Sequence, residues 1–253
     1  MDDDSKLLDL VTHSRLFGLL ALVFMDSSDG PDTAAICSEC EVVSDLLGMM
    51  GNPIANGQAL VAEIRRQAAA DNLRGLYPRT FGHVPAGALS PYETSYLGAS
   101  TFSQSQTLAD IAGFYLAFGA KPSSEFAERP DHLGPELEFL ALLNHKEALA
   151  RDDGRLEDAL ICEEARRRFV EEHAGRWVPV VFDRIGKSAA GECYLAAASL
   201  GKLAVNREIE LLGIQGISPD LAPPPTERIA EEHAPDVFGC GAAPATDQDY
   251  ELF

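Results

Sequence analysis

The sequence predicts an all-α protein, and three observations carry that reading. Apolar residues recur at three- and four-residue spacing along most of the chain, the periodicity of a buried helix face. No run of alternating β-branched residues lies between hairpin turns, and no strand–helix unit repeats. At 253 residues with 46% hydrophobic content, the chain is long and apolar enough to bury a core without disulfides or metals.

The elements follow in order. Leu7, Leu10, Val11, Leu19, Leu20 and Val23 mark a first helix. Asp26–Cys40, rich in Ser, Asp and Gly, reads as a loop. Gln58–Asn72 sets Leu60, Ile64 and Ala68 on one face and Arg65, Arg66 and Asp71 elsewhere. Thr107–Phe118 carries Leu108, Ile111, Ala112 and Tyr115 until Gly119, a residue free to take the left-handed conformation, ends it.

The next helix opens with Pro135 at its first position, where a missing N–H costs nothing. Glu136 and Glu138 then lie near the positive end of its dipole. Leu137, Leu140, Ala141 and Asn144 share one stripe, widened by Phe139, Leu142 and Leu143. Asp158–Gly175 carries Leu160, Phe169, Val170 and His173, with Arg166-Arg167-Arg168 on the opposite, solvated face. His173 and Trp177, four apart, share a face and read as packing, with the indole N–H finding a partner. Val178–Phe182 fits a short strand or, given Trp177 and Pro179, a turn into a short helix. Ala189–Leu212 is a long, Ala-rich helix in which Gly201 allows another helix to approach closely.

These elements make one helical domain over residues 1–215. From 216 to 253 the chain turns to Pro219, Pro223, Pro224, Pro225, acidic residues and small residues, which reads as a loose tail.

Charge and cysteines exclude several classes. Forty acidic residues against twenty basic ones give a net charge of −20. Such a surface repels nucleic acid and anionic lipid, and it either attracts cationic peptides or simply keeps the protein soluble. Met-Asp-Asp-Asp has the wrong sign for a secretory leader. The apolar run Leu16–Met25 is about ten residues, whereas a span needs about 20. A cytoplasmic protein with a core helix is expected. The scattered thiols Cys37, Cys40, Cys162, Cys193 and Cys240 fit a reducing compartment.

Enzyme signatures are missing. Gly186-Lys187-Ser188 resembles the end of a phosphate loop, but Val181 stands where its first glycine belongs. There is no His-Glu-x-x-His zinc helix, no Glu-x-x-His di-iron pair and no Gly-x-Ser-x-Gly elbow. Cys37-Ser-Glu-Cys40 has metal-ligand or redox spacing without a second pair to complete it, though Cys240 can be written as a remote third ligand. No metal or organic cofactor is expected, and no catalytic residue is assigned.

One segment stands out. Glu128-Arg129-Pro130-Asp131-His132 is a charged, proline-stiffened loop at the mouth of the amphipathic helix that follows. Taken alone, Asp131 fits a helix cap or turn former and His132 a satisfied surface histidine. Two upstream segments change the weighting: Tyr77-Pro-Arg-Thr-Phe81 and Pro91-Tyr92-Glu93.

In that order and spacing the three segments resemble the TorD/DmsD/NarJ-like family of redox-enzyme maturation chaperones, from about Leu7 to about Leu212. The resemblance implies an all-α globule, either monomer or domain-swapped dimer. It implies no enzyme but a cytoplasmic chaperone that binds the signal peptide, often of twin-arginine type, or the apo form of a molybdopterin oxidoreductase catalytic subunit before cofactor insertion and export. Tyr77, Phe81, Pro91 and Tyr92 would line an apolar groove. Glu93, Glu128 and Asp131 would accept arginine hydrogen bonds. His132 would donate to a peptide carbonyl or change charge near neutral pH. Two rival readings remain: a small metal or redox sensor using Cys37 and Cys40, and an enzyme using His132 with Asp131 or Glu136.

Overall fold

The structure, a computed structural model, describes residues 3–25, 32–51, 54–71, 73–82, 89–96, 101–121, 128–188 and 190–217. Among them the architecture is all-α, as the apolar spacing predicts. The helices are α1 (Asp3–Phe24), α2 (Thr33–Met49), α3 (Gly57–Ala69), α4 (Leu76–Phe81), α5 (Thr101–Ala117), α6 (Leu133–Asp152), α7 (Leu156–Phe169), α8 (Gly175–Gly186) and α9 (Glu192–Leu211). Of the segment proposed as a tail, Gly216 and Ile217 are described, and Ile217 packs against the core; residues 218–253, and with them Cys240, lie outside the described residues.

Helix α1 passes through the middle, packed against α6, α2 and α9. It is apolar on several faces, and Leu10, Leu16, Phe17, Leu19, Leu20, Val23 and Phe24 are all buried. By length and composition α1 could cross a membrane, and the sequence reading underestimated its apolar extent. Its most apolar window is 61% buried inside the fold.

Of the loop expected over Asp26–Cys40, residues 26–31 lie outside the described residues and 33–40 are helix instead, because α2 starts at Thr33. Asp32 caps it, its carboxylate accepting the Ala35 N–H at 2.9 Å. Ile36, Cys40, Val43 and Leu47 then bury at helical spacing, which outweighs the polar composition upstream.

Helix α6 begins two residues before the expected start. Pro135 is its third residue rather than its first, still within the turn whose N–H groups lack intrahelical acceptors.

Helices α7 and α8 run on through one π-helical turn, Val170–Ala174. Val178–Phe182 is therefore helix, not strand, and Pro179 lies inside α8. Burial of Val178, Val181, Phe182 and Ile185 offsets the cost of about 3 kcal/mol for an interior proline. The π turn needs Gly175, where a Cβ would sit 2.5 Å from the Val170 carbonyl oxygen. Gly201 meets its expectation too: a Cβ there would lie 2.4 Å from the Phe182 ring, so α8 and α9 touch almost backbone to ring.

Arg166 departs from the expected solvated face. It is 3% exposed and bridges Glu147 on α6 and Glu208 on α9, at 2.9 and 2.8 Å. The rule that charges face water fails where two buried carboxylates demand a cation.

Candidate functional site

The backbone brings the two motif segments together. Glu93 N–H donates to the Asp131 carbonyl at 2.9 Å and Leu133 N–H to the Pro91 carbonyl at 2.8 Å, an antiparallel bridge between Tyr92 and His132. The bridge ends in a 3-10 turn, Glu93–Ser95, on one side and in α6 on the other. Nearby, α4 is set between Gly75 and Gly82, both with positive φ, and Leu76 packs within 2.8 Å of where a Cβ on Gly191 would be. Those contacts deliver Tyr77 and Phe81 to the same place.

Asp131 is fully buried. Its Oδ2 accepts the Thr94 N–H at 3.2 Å and the Thr94 hydroxyl at 2.7 Å. Arg129 reaches back over it, Nε to Oδ1 at 3.0 Å and NH2 to Oδ2 at 2.9 Å, and also donates to Thr94 Oγ1 at 2.9 Å. The same guanidinium lies over the Tyr92 ring, 4.6 Å from its centroid.

His132, not Asp131, caps α6, and it is buried rather than at the surface. Its Nδ1 accepts the Gly134 N–H at 3.0 Å, so the ring proton resides on Nε2 and is shared with the Tyr77 hydroxyl at 2.8 Å. Burial, set against the opposing pull of Glu128 and Asp131, holds the imidazole down to about 4. The residue is neutral at physiological pH, which removes the charge switch expected from its type.

Glu93 is buried as well, and its carboxylate faces inward. It accepts from His173 Nδ1 at 3.1 Å, while His173 Nε2 bonds Asp110 at 3.2 Å. Burial works to lower the His173 value, but Glu93 and Asp110 outweigh it and raise it. Beside Glu93 lies Glu136, also fully buried, to which the Trp177 indole N–H donates at 2.8 Å. Burial and then the Glu93 charge push Glu136 well above the usual carboxylate range, which favours its protonated form.

The surface of the site is built from Tyr77, Tyr92, Glu128 and Arg129. The Tyr77 ring lies 4.9 Å from Phe81 and 6.0 Å from His132, and Tyr92 lies edge-on to His132 at 5.2 Å. The Tyr92 hydroxyl donates to Glu128 Oε1 at 3.1 Å, its phenol pushed up to about 12 by burial and the Glu128 charge. Phe81 and Pro91 are buried behind this wall.

The structure thus gathers Tyr77, Phe81, Pro91, Tyr92, Glu93, Glu128, Asp131 and His132 in one place. It divides them into a half-exposed aromatic and acidic face and a buried frame. Sequence reasoning missed Thr94, Arg129, Tyr115 and the Glu136–Trp177 pair. Arg129 was legible, since it stands inside the loop between two acids. Tyr115 donates to the Pro130 carbonyl at 2.8 Å from a helix that spacing alone does not relate to the loop.

Asp110, Glu172 and His173 bring potential metal-ligand atoms within 4.8 Å of one another. Arg168 already binds Glu172 at 3.1 Å, and Asp110 and Glu93 hold the imidazole, so these groups satisfy each other. The thiols offer less. Cys40 is 1% exposed and burial pushes it up to about 12, as it does Cys193.

A family model described as the nitrate reductase delta subunit matches residues 50–183, which spans α3 through most of α8 and includes every residue of the site. The chain belongs to that family, the NarJ-like group its motifs resemble. It is 43% identical over 72 residues to the selenate reductase assembly chaperone protein of Thauera selenatis, covering 28% of this chain and 36% of the relative. It is 29% identical over 127 residues to the perchlorate reductase assembly chaperone protein of Dechloromonas aromatica, covering 50% and 54%. The chlorate reductase assembly chaperone protein of Ideonella dechloratans is 40% identical over 72 residues, covering 28% and 36%. The chain spans between about a third and about half of the length of these relatives. No solved structure matches it.

Proposed function

We propose that this protein is a cytoplasmic assembly chaperone for a molybdopterin oxidoreductase. It holds the signal peptide or apo form of the catalytic subunit before cofactor insertion and export, and it carries out no chemistry of its own. The observation that supports this reading best is the platform itself. Two loop segments are clamped by backbone bonds so that aromatic rings and carboxylates meet at one surface. That combination suits a peptide with an apolar stretch beside arginines. The names of the relatives, each an assembly chaperone of a reductase, point the same way.

In this reading Tyr77, Tyr92 and Glu128 touch the client. Phe81, Pro91, Glu93 and His132 hold the wall in shape, and Asp131 supplies the carboxylate behind it. The rival use of Cys37 and Cys40 loses support from the geometry. A buried thiol raised to about 12 stays protonated and is a poor nucleophile.

The test is titration of the client's leader peptide against wild type, Glu128→Gln and Asp131→Asn, with melting curves in parallel. Each substitution should weaken binding by about 1–3 kcal/mol, the range for hydrogen bonds to charged groups, with Glu128→Gln leaving the melting midpoint nearly unchanged. Added salt should weaken wild type more than either variant. Equal affinities across the three proteins would refute the assignment.

A further inference from the structure

The carboxylate best suited to a client arginine is already occupied from within the chain. Arg129 makes a two-point contact with Asp131, a bond to Thr94 and a stacking contact on Tyr92. That is the full set of contacts a guanidinium takes from a carboxylate, a hydroxyl and an aromatic face. Yet Arg129 is a surface residue, its side chain 43% exposed, while Asp131 beneath it is fully buried.

The loop does not depend on that guanidinium for its shape. Arg129 N–H donates to Glu128 Oε1 at 2.8 Å, His132 N–H to the Arg129 carbonyl at 3.1 Å, and Tyr115 to the Pro130 carbonyl. The bridge to Pro91 and Glu93 fixes the other edge. All of these are backbone or neighbour contacts that survive if the Arg129 side chain swings out. Asp131 would then keep Thr94 on Oδ2, but Oδ1, whose hydrogen bond comes from Arg129, would be left needing a donor.

We propose that Asp131, Thr94 and Tyr92 form a guanidinium pocket that Arg129 fills in the free chain and yields to an arginine of the client. The inference rests on the client reading above and adds how the site is regulated. An intramolecular arginine protects a buried carboxylate from other cations and makes entry an exchange of like for like. It also weakens apparent affinity by the fraction of time the pocket is closed. A lone arginine gains little by such an exchange, whereas a peptide that also covers Tyr77 and Tyr92 gains its apolar contacts as well. The pocket therefore selects arginine in the right context rather than any cation.

Two measurements on the full chain test this. The first follows the melting midpoint of Arg129→Ala while ethylguanidinium, the fragment the substitution removes, is added at low concentration. A saturable rise with ethylguanidinium, absent with ethylammonium and absent in Arg129→Ala/Asp131→Asn, is expected. No rise, or the same rise with both cations, overturns the pocket. The second titrates a synthetic leader peptide carrying an arginine pair beside an apolar stretch, which Arg129→Ala should bind about tenfold more tightly than wild type because the competing charge-assisted contacts are gone. A leader with lysine for arginine should show no such gain. Binding to Arg129→Ala no tighter than to wild type overturns the exchange. A leader that binds neither protein overturns the client reading and leaves the pocket to be judged on the rescue alone. Should Arg129→Ala not fold, Arg129→Gln retains one donor near Asp131 and takes its place in the leader titration, with the same outcomes.

Discussion

Two groups of charged side chains lie inside this fold, and they are built on opposite terms. Between α1, α6, α7 and α9, Arg166 sits among Glu147, Glu208 and Asn144, and His13 Nδ1 meets Glu208 at 2.5 Å. Lys6 and Arg151 close the outer edge against Glu147 and Glu163. Here cations match carboxylates. Burial would raise Glu208, but Arg166 and His13 prevail and hold it down to about 2. Around the motif loop, by contrast, Glu93, Glu136 and Asp131 outnumber the cations that reach them. One carboxyl is pushed toward its protonated form, and one is served by an arginine from the surface. The lesson is that buried charge alone does not mark a site. A compensated cluster fixes helices; a carboxylate-rich cluster open at one edge is where a partner's cation has something to gain.

The comparison breaks first at Arg166. Arg166→Met should cost about 3–5 kcal/mol of stability, because it removes the buried cation that Glu147 and Glu208 share and leaves them only His13 and the cations of the outer edge. Below the lowered melting midpoint, leader binding should be unchanged. A melting midpoint within a degree or two of wild type would mean the cluster is not compensated as described.

Acid separates the two regions next, with opposite signs. Glu208 is depressed in the folded state, so its contribution is present above the unfolded value of about 4.3 and is lost as pH falls toward about 2. It should account for on the order of 3 kcal/mol of acid sensitivity, and Glu208→Gln should flatten that limb of the stability–pH curve. Glu136 is raised, so its contribution is full below the unfolded value and is lost as pH rises through the folded one. Glu136→Gln, which copies the protonated carboxyl and keeps an acceptor for Trp177, should be near neutral in acid. It should become more stabilising than wild type as pH rises. Chemical denaturation across the pH range reads both, and slopes of the same sign would erase the contrast.

The motif region was legible in the sequence because its logic is local. Pro91-Tyr92-Glu93 and Glu128 to His132 are short segments whose residue types announce loops and polar contacts. The helices were legible from apolar spacing, with errors where a cap decided the boundary, as at Asp32 and His132. The compensated cluster was not legible. Arg166 has the spacing of a solvated residue, and only Glu147 and Glu208, on other helices, make it a buried one. Glu136 likewise read as a dipole partner near a helix start, whereas its role comes from Glu93 and Trp177 on other elements. Spacing along one helix cannot report a partner on another.

A milder test is the cap. His132→Ala should cost about 0.5–2 kcal/mol, the worth of an N-cap acceptor, while His132→Asn, which can accept from Gly134, should recover part of it. If Asn recovers nothing, the Tyr77 contact rather than the cap carries the residue's stabilising role.

The smallest expected effect is at Tyr92, and it sharpens the division between face and frame. Tyr92→Phe keeps the ring under Arg129 and against His132 but removes the hydroxyl that Glu128 accepts at 3.1 Å. The ring is half exposed and Glu128 can turn to water, so folding stability should change by no more than about 0.5–1 kcal/mol. Glu128 also accepts the Arg129 N–H, so the loop backbone should stay in place. A carboxylate relieved of one internal donor has more capacity for an external one. The leader should therefore bind Tyr92→Phe as well as wild type or slightly better, and that binding should become more sensitive to salt. Tyr92→Ala should behave differently, because it also removes the stacking surface for a guanidinium and one wall of the groove. A Phe variant that loses as much affinity as the Ala variant would show that the Tyr92–Glu128 hydrogen bond, and not the aromatic face, is what the client reads.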